Sequence, residues 1–210
     1  MRQSLRTHLG KLILRMISVY VLTLGFIALT QGCTWIPTYD QEDYCYATYV
    51  FEAEVNETPI LDYSRTYYEH DISVKNAYKF DGNEEEVFAF RTLYGDGPGF
   101  SCGKGFLTKG KSYLIYAKRF GVNLHISEYQ SMEYVNDTDI ERITKKYDCS
   151  CTIVFNYPKV LGNGPGIELP PPTMNKCNVP TNYNCLRTWY CKRNSDGRCT
   201  WGTLGNCHYM

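Results

Sequence analysis

All ten cysteines of this 210-residue chain lie after residue 32, at positions 33, 45, 102, 149, 151, 177, 185, 191, 199 and 207. An even number of half-cystines confined to one part of a chain reads as a covalent framework, and the expectation is five disulfides. The rival reading is a zinc cluster using Cys149 and Cys151, or Cys185 and Cys191. Neither spacing is that of a C-x-x-C knuckle, and an exported protein meets an oxidising environment, so bonds are favoured over metal.

Export is indicated by the cysteine-free stretch itself. Arg2, Arg6, Lys11 and Arg15 come with no acid, Met16 to Leu29 carries no charge, and Thr30, Gln31 and Gly32 follow. Basic, then apolar, then small is the order of a signal peptide, predicted here as residues 1–32. The apolar run falls short of the about 20 residues a membrane-spanning helix needs. An uncleaved signal anchor is the competing reading, weakened by Tyr20 and Gly25 within the run. Cleavage after Gly32 makes Cys33 the first residue of the mature chain and leaves 18 basic against 22 acidic residues, a formal charge of −4. That balance argues against a nucleic-acid partner. Sequons at Asn56 and Asn136 fit an exported glycoprotein.

From Cys45 the chain alternates, with Ala47, Tyr49, Phe51, Ala53 and Val55 on one face, which is the pattern of a half-buried strand. Further strands are predicted at residues 71–80, 86–94, 111–118 and 123–129, separated by turns such as Asp81-Gly82-Asn83 and Gly95-Asp96-Gly97-Pro98-Gly99. Five short strands predict a small β-barrel. Thr138 and Glu141 have capping-box spacing, and Ile140, Ile143 and Tyr147 share one face, so a helix is predicted up to about Tyr147 with its stripe packed on the core. After Cys151 the texture changes: glycines and prolines interrupt residues 157–172 and five cysteines crowd the last stretch, predicting a disulfide-dependent module over 152–210.

Enzyme chemistry has no visible basis, and the chain is expected not to be an enzyme. His8, His70, His125 and His208 are scattered without zinc-ligand spacing and read as ordinary positions. Glu84-Glu85-Glu86 reads as a solvated loop, and Gly95 to Gly99 leads into Phe100-Ser101-Cys102 rather than a phosphate-binding Gly-Lys-Ser/Thr.

Several segments, taken in order, resemble the tissue inhibitors of metalloproteinases. They are Cys33 with its interval to Cys45; Phe100-Ser101-Cys102-Gly103; Lys111-Ser112-Tyr113-Leu114-Ile115-Tyr116-Ala117-Lys118; His125-Ile126-Ser127; Tyr147-Asp148-Cys149-Ser150-Cys151; and Cys191-Lys192-Arg193-Asn194-Ser195-Asp196-Gly197-Arg198-Cys199-Thr200-Trp201. The resemblance implies a mainly β protein: a netrin-like OB-fold, a five-stranded barrel with a flanking helix over 33–151, followed by the small disulfide-rich module. It further implies the bonds Cys33–Cys102, Cys45–Cys149, Cys151–Cys199 and Cys185–Cys191, leaving Cys177 to Cys207. A bond from Cys33 to Cys102 would close a long loop, worth about 4 kcal/mol in the chain-entropy model.

In that family the amino-terminal cysteine is the inhibitory device. Its free α-amine and carbonyl oxygen chelate the catalytic zinc of the target protease in a five-membered ring, displacing the water that the protease would activate. By resemblance, Cys33 is the chelating residue and Thr34 enters the primed-side specificity pocket. Trp35, Ile36, Pro37, Phe100, Ser101 and Cys102 complete the protease-binding surface. The chain needs no cofactor of its own, since the zinc belongs to the target. The implied partners are zinc metalloproteinases, matrix metalloproteinases or related metzincins, and beyond them the extracellular matrix. The implied location is extracellular, with no membrane association after cleavage.

Departures from the family pattern favour a second reading. Family members place a cysteine two residues after the first, bonded to one beyond the His-Ile strand; here those positions are Trp35 and Tyr129. Both partners are replaced together, as loss of one bond requires. Trp35 either packs on Tyr129, contributing about 1 kcal/mol, or faces the protease. A basic pair of the first strand is Glu52 and Glu54. The second reading is therefore a netrin-like matrix- or receptor-binding module without protease inhibition.

Overall fold

The computed structural model describes residues 39–62, 66–98, 105–155, 171–179 and 188–204. Strands β1 (Tyr49–Val55), β2 (Ile60–Asp62), β3 (Tyr67–Lys79), β4 (Thr92–Asp96), β5 (Ser112–Phe120) and β6 (Asn123–Ser131) form one sheet in the order β1-β5-β6-β4-β3-β2. A further antiparallel pairing of β1 with β3 closes it, leaving β2 as an appendage outside a five-stranded barrel. Neighbours are antiparallel except β4 and β6, which meet in parallel at Tyr94 and His125. Five strands closed this way make the OB-fold barrel.

Alternation explains the core. Phe51, Ala53, Val55, Ile72, Leu93, Leu107, Ile115 and Ala117 are fully buried inside the barrel. β1 and β5 are buried on both faces, because Val50, Leu114 and Tyr116 point outward into a second cluster with Ala47 and Ile143.

Three helices differ from the sequence reading. The stretch before Cys45, outside every element predicted from sequence, is helix α1 (Asp40–Tyr46). Its first turn holds Asp40, Glu42 and Asp43, which favour the positive end of the helix dipole, and Glu42 accepts from the Tyr39 N–H at 3.3 Å. Residues 84–88, the glutamate run and the start of the strand predicted at 86–94, form helix α2 (Glu84–Phe88), capped by Asn83 accepting from the Glu85 N–H. The strand survives only as β4. The predicted helix before Tyr147 is present as α3 (Asp137–Glu141) continued by a π turn (Arg142–Lys146), and Ile143 packs on the core as expected. Its cap is Asn136 with Asp139 instead of Thr138 with Glu141, each side chain bonding the other's backbone N–H at 3.0 Å.

Beyond Cys149, β7 (Thr152–Val154) pairs in parallel with β8 (Lys176–Asn178), and β9 (Trp189–Arg193) forms a hairpin with β10 (Cys199–Thr203). Their core gathers Cys151, Ile153, Cys177, Trp189, Cys191, Cys199 and Trp201, joined by Tyr39. Disulfides Cys45–Cys149 and Cys151–Cys199 match the expected pairing. The expected Cys185–Cys191 and Cys177–Cys207 bonds are corrected. Cys191 is bonded to Cys177, their Cα atoms 6.0 Å apart, because β8 and β9 each turn one cysteine into the same core. Spacing along the chain cannot reveal such a choice. Non-reducing peptide mapping is expected to recover a fragment linking Cys177 to Cys191 and none linking Cys191 to Cys185. Cys185 and Cys207 lie outside the described residues.

Candidate functional site

The residues expected to contact a protease, Cys33, Thr34, Trp35, Ile36, Pro37, Phe100, Ser101 and Cys102, all lie outside the described residues. Described residues do hold the points where those two segments rejoin the fold, at Tyr39 and Gly105.

Tyr39 is buried, its ring 5.2 Å from that of Trp201, and its hydroxyl donates to the Trp189 carbonyl at 2.5 Å. Burial raises the pKa of that hydroxyl well above the usual tyrosine value, keeping it a neutral donor. Gln41 is equally buried and makes a two-way contact with Cys191: the Cys191 N–H donates to its Oε1 at 2.7 Å, and its Nε2 donates to the Cys191 carbonyl at 2.8 Å. Tyr39 and Gln41 thus extend the edge of β9 with hydrogen bonds that a strand would make. At the far end of α1, the Lys79 ammonium donates to the carbonyls of Tyr44, Cys45 and Ala47 at 2.7, 3.2 and 2.6 Å. A cation at a helix C-terminus is favourable, and beside it the Cys45–Cys149 bond fixes the helix to the chain beyond α3.

Gly105 is held from two sides. A Cβ on Gly95 would overlap the Gly105 carbonyl, and one on Gly105 would overlap the Asp96 backbone, so both positions require glycine for this approach. His70, read from sequence as an ordinary position, is fully buried, and its Nε2 donates to the Gly105 carbonyl at 2.6 Å, which assigns the ring's proton to Nε2. No hydrogen-bond partner faces Nδ1 among the described residues. Burial pulls the His70 pKa below the usual histidine value, the bond to Gly105 opposing it. The unfolded chain therefore takes up this proton near pH ~6.5, and the folded chain only at lower pH. Stability is complete above that value and falls as the pH drops below it. Urea midpoints at pH 7.5 and 5.0 are expected to differ by more for the native chain than for His70→Gln, whose amide keeps the donor to Gly105 and does not titrate. His125, also lowered by burial, adds an equal slope to both proteins, so the comparison isolates His70.

Of the other singled-out residues, Tyr129 packs edge-on against Tyr113 with ring centroids 5.6 Å apart, while Trp35 lies outside the described residues. Glu52 accepts from Asn76 at 2.7 Å, and Glu54 pairs with Lys75 at 2.8 Å, so the acidic first strand is matched across the sheet. Asn56 shares its side chain with Asp71 and Ser73, whereas Asn136 is exposed at the cap of α3. Asp148 accepts from the backbone N–H groups of Ser150 and Arg193; the Ser150 side chain first, and then these two contacts, hold its carboxyl below the usual value. Arg193 in turn donates to carbonyls of Ser150, Met174 and Gly197. The Cys149-Ser150-Cys151 corner is thereby tied to the β9–β10 hairpin.

A closed five-stranded barrel, a terminal cysteine cluster and a fixed α1 leave one comparison to decide. A family model described as Tissue inhibitor of metalloproteinase matches residues 31–201. The chain belongs to the tissue inhibitor of metalloproteinase family. At the level of the family its function is inhibition of metalloproteinases, and its partners are metalloproteinases. A search among curated proteins found no match for the chain. Among the described residues, no helix is long and apolar enough to cross a membrane.

Proposed function

We propose that the mature protein is a secreted inhibitor that begins at Cys33 and blocks zinc metalloproteinases, matrix metalloproteinases or related metzincins, with its own amino terminus. The Cys33 α-amine and carbonyl oxygen bind the protease's zinc in place of its catalytic water. Thr34 occupies the primed-side pocket, while Trp35, Ile36, Pro37, Phe100 and Ser101 line the cleft, and Cys33–Cys102 joins the two segments. The carrying observation is the family match over residues 31–201, which spans both cysteines. Supporting it are the fixed points at Tyr39 and Gly105, since a segment stiff before contact loses less entropy on binding. The division at Cys151 belongs to this reading, with Tyr39 and Gln41 as the seam between barrel and module.

The replacement of a cysteine pair by Trp35 and Tyr129 favours the second reading, a matrix- or receptor-binding netrin-like module. Selective acetylation of the α-amine separates the two. Sequencing of secreted material is expected to begin at Cys33, and acetylation to abolish inhibition in a fluorogenic assay. Inhibition that survives acetylation, or that is absent beforehand while matrix binding persists, rejects the zinc-binding terminus.

A further inference from the structure

On the outer wall of the barrel, the registers place a row of side chains side by side. Tyr67 of β3 pairs with Asp96 of β4, Tyr94 of β4 lies beside His125 of β6, and His125 pairs with Lys118 of β5. Their inward neighbours Leu93, Leu124 and Ala117 are buried in the barrel, so this row points outward. Together with Phe120 and Asn123 at the β5–β6 turn it lines a cleft of about 540 Å³, a volume in the range of small-ligand sites.

Three aromatic rings surround the imidazole: Tyr67, Tyr94 and Phe120 lie with centroids 5.1, 5.4 and 5.3 Å from His125, Tyr94 stacked and the other two edge-on. Phe120 remains 63% exposed, and Val122 beside it 96% exposed. Phe120 therefore packs on His125 by one edge and offers the rest of its ring to the cleft, beside the carboxyl of Asp96 and the amide of Asn123.

We propose that this cleft is a binding site for a neutral oligosaccharide. Pyranose rings present C–H faces that carry slight positive charge and suit the negative faces of aromatic rings. Their hydroxyls need both acceptors and donors, which Asp96 and Asn123 supply. The position agrees with the fold: omitting the appended β2, β3 and β4 are the second and third barrel strands and β5–β6 the fourth and fifth, and OB-folds bind oligosaccharides and oligonucleotides on this wall and this turn. Charge chooses between those two. Among the described residues, the one ammonium lining the cleft, Lys118, lies over the Tyr46 ring at 3.1 Å, Asp96 brings a carboxyl group, and burial lowers the His125 pKa. Among the described residues, a phosphate or sulfate backbone would find no cationic track here. An apolar peptide would cover Asp96 and Asn123 without replacing their bonds to water.

The test is saturation-transfer NMR on the full chain with tri-N-acetylchitotriose and with maltotriose, each at about 10 mM, a tenfold excess over a Kd of about 1 mM. Transfer to at least one of them is expected, reduced about tenfold in affinity by Phe120→Ala or Tyr94→Ala. Because Phe120 is exposed, its variant is expected to keep the native amide spectrum, which separates lost binding from lost fold. The proposal is overturned if neither trisaccharide receives saturation, if both variants bind like the native chain, or if a heparin tetrasaccharide or a thymidine hexanucleotide binds in preference. It rests on the barrel wall alone and is independent of the amino-terminal reading.

Discussion

One alanine added ahead of Cys33 is expected to weaken inhibition of a matrix metalloproteinase catalytic domain by at least about 10³-fold, or about 4 kcal/mol. The extension converts an amine, whose lone pair binds metal, into an amide nitrogen that does not. On the proposed chelation, it removes one donor directly and breaks the five-membered ring that holds the other. Complete four-ligand zinc sites are worth about 10–16 kcal/mol, so losing two protein donors, with water returning to the metal, is compatible with a loss of this size. An α-amine titrates near pH ~8, so potency of the native chain is expected to fall about tenfold per pH unit below that value as protons compete with zinc. The extended chain should show no such slope. Inhibition constants from progress curves at pH 6 to 9, with the amino terminus of each protein verified by mass spectrometry, decide the matter. Equal potency of the two chains would sink the mechanism. An unchanged unfolding midpoint of the extended chain shows that the fold is not at fault.

Local pattern was enough to find β1, by its period-2 alternation, and β3, β5 and β6, as strand-like runs bounded by turn residues, although β1 and β5 are buried on both faces. It failed where partners are distant. Tyr39 and Gln41 take their hydrogen bonds from residues 150 positions away, at Trp189 and Cys191, and nothing in Asp40–Tyr46 except three acids in one turn announces a helix. Glu84-Glu85-Glu86 carried the same signal, acids following an Asn cap, and was read as a loop because charge runs usually are. The Cys177–Cys191 bond depends on which strands meet in the second core, a tertiary fact. His70 was legible in principle: it sits two residues before Ile72, on the face of β3 that alternation assigns to the interior. An inward histidine needs a hydrogen-bond partner, and only the fold identifies it as the Gly105 carbonyl. Of the proposed protease-binding surface, the residues come from family resemblance, and the described structure holds the points, Tyr39 and Gly105, where the two segments rejoin the fold.

The same distant contacts make Arg142 the residue whose loss is expected to cost the fold most. Its guanidinium is fully buried, paired with Asp139 at 2.5 Å and with Asp40 at 3.5 Å, and donates to the Trp189 carbonyl at 3.4 Å. One cation therefore joins α1, α3 and β9. Arg142→Met keeps most of the side-chain volume but leaves Asp139, itself 5% exposed, as an uncompensated buried carboxylate. Breaking a buried pair from one side costs about 3–5 kcal/mol, a large fraction of the 5–15 kcal/mol that holds a typical domain together. Asp139→Asn is milder, about 1–3 kcal/mol, since the amide oxygen still accepts and can keep the bond to the Asn136 N–H. Combining the two removes both charges, so the double variant is expected to be less destabilised than the sum of the single ones by at least about 1 kcal/mol. Guanidinium unfolding of the four proteins reads all these quantities. Additive costs, or an Arg142→Met protein within about 0.5 kcal/mol of native, would show that the pair is incidental. A coupled loss has a functional consequence as well. Tyr39 bonds to the same Trp189 carbonyl, so loosening this junction frees the end of the segment that leads back to Cys33, and inhibition by Arg142→Met should weaken at temperatures where its barrel is still folded.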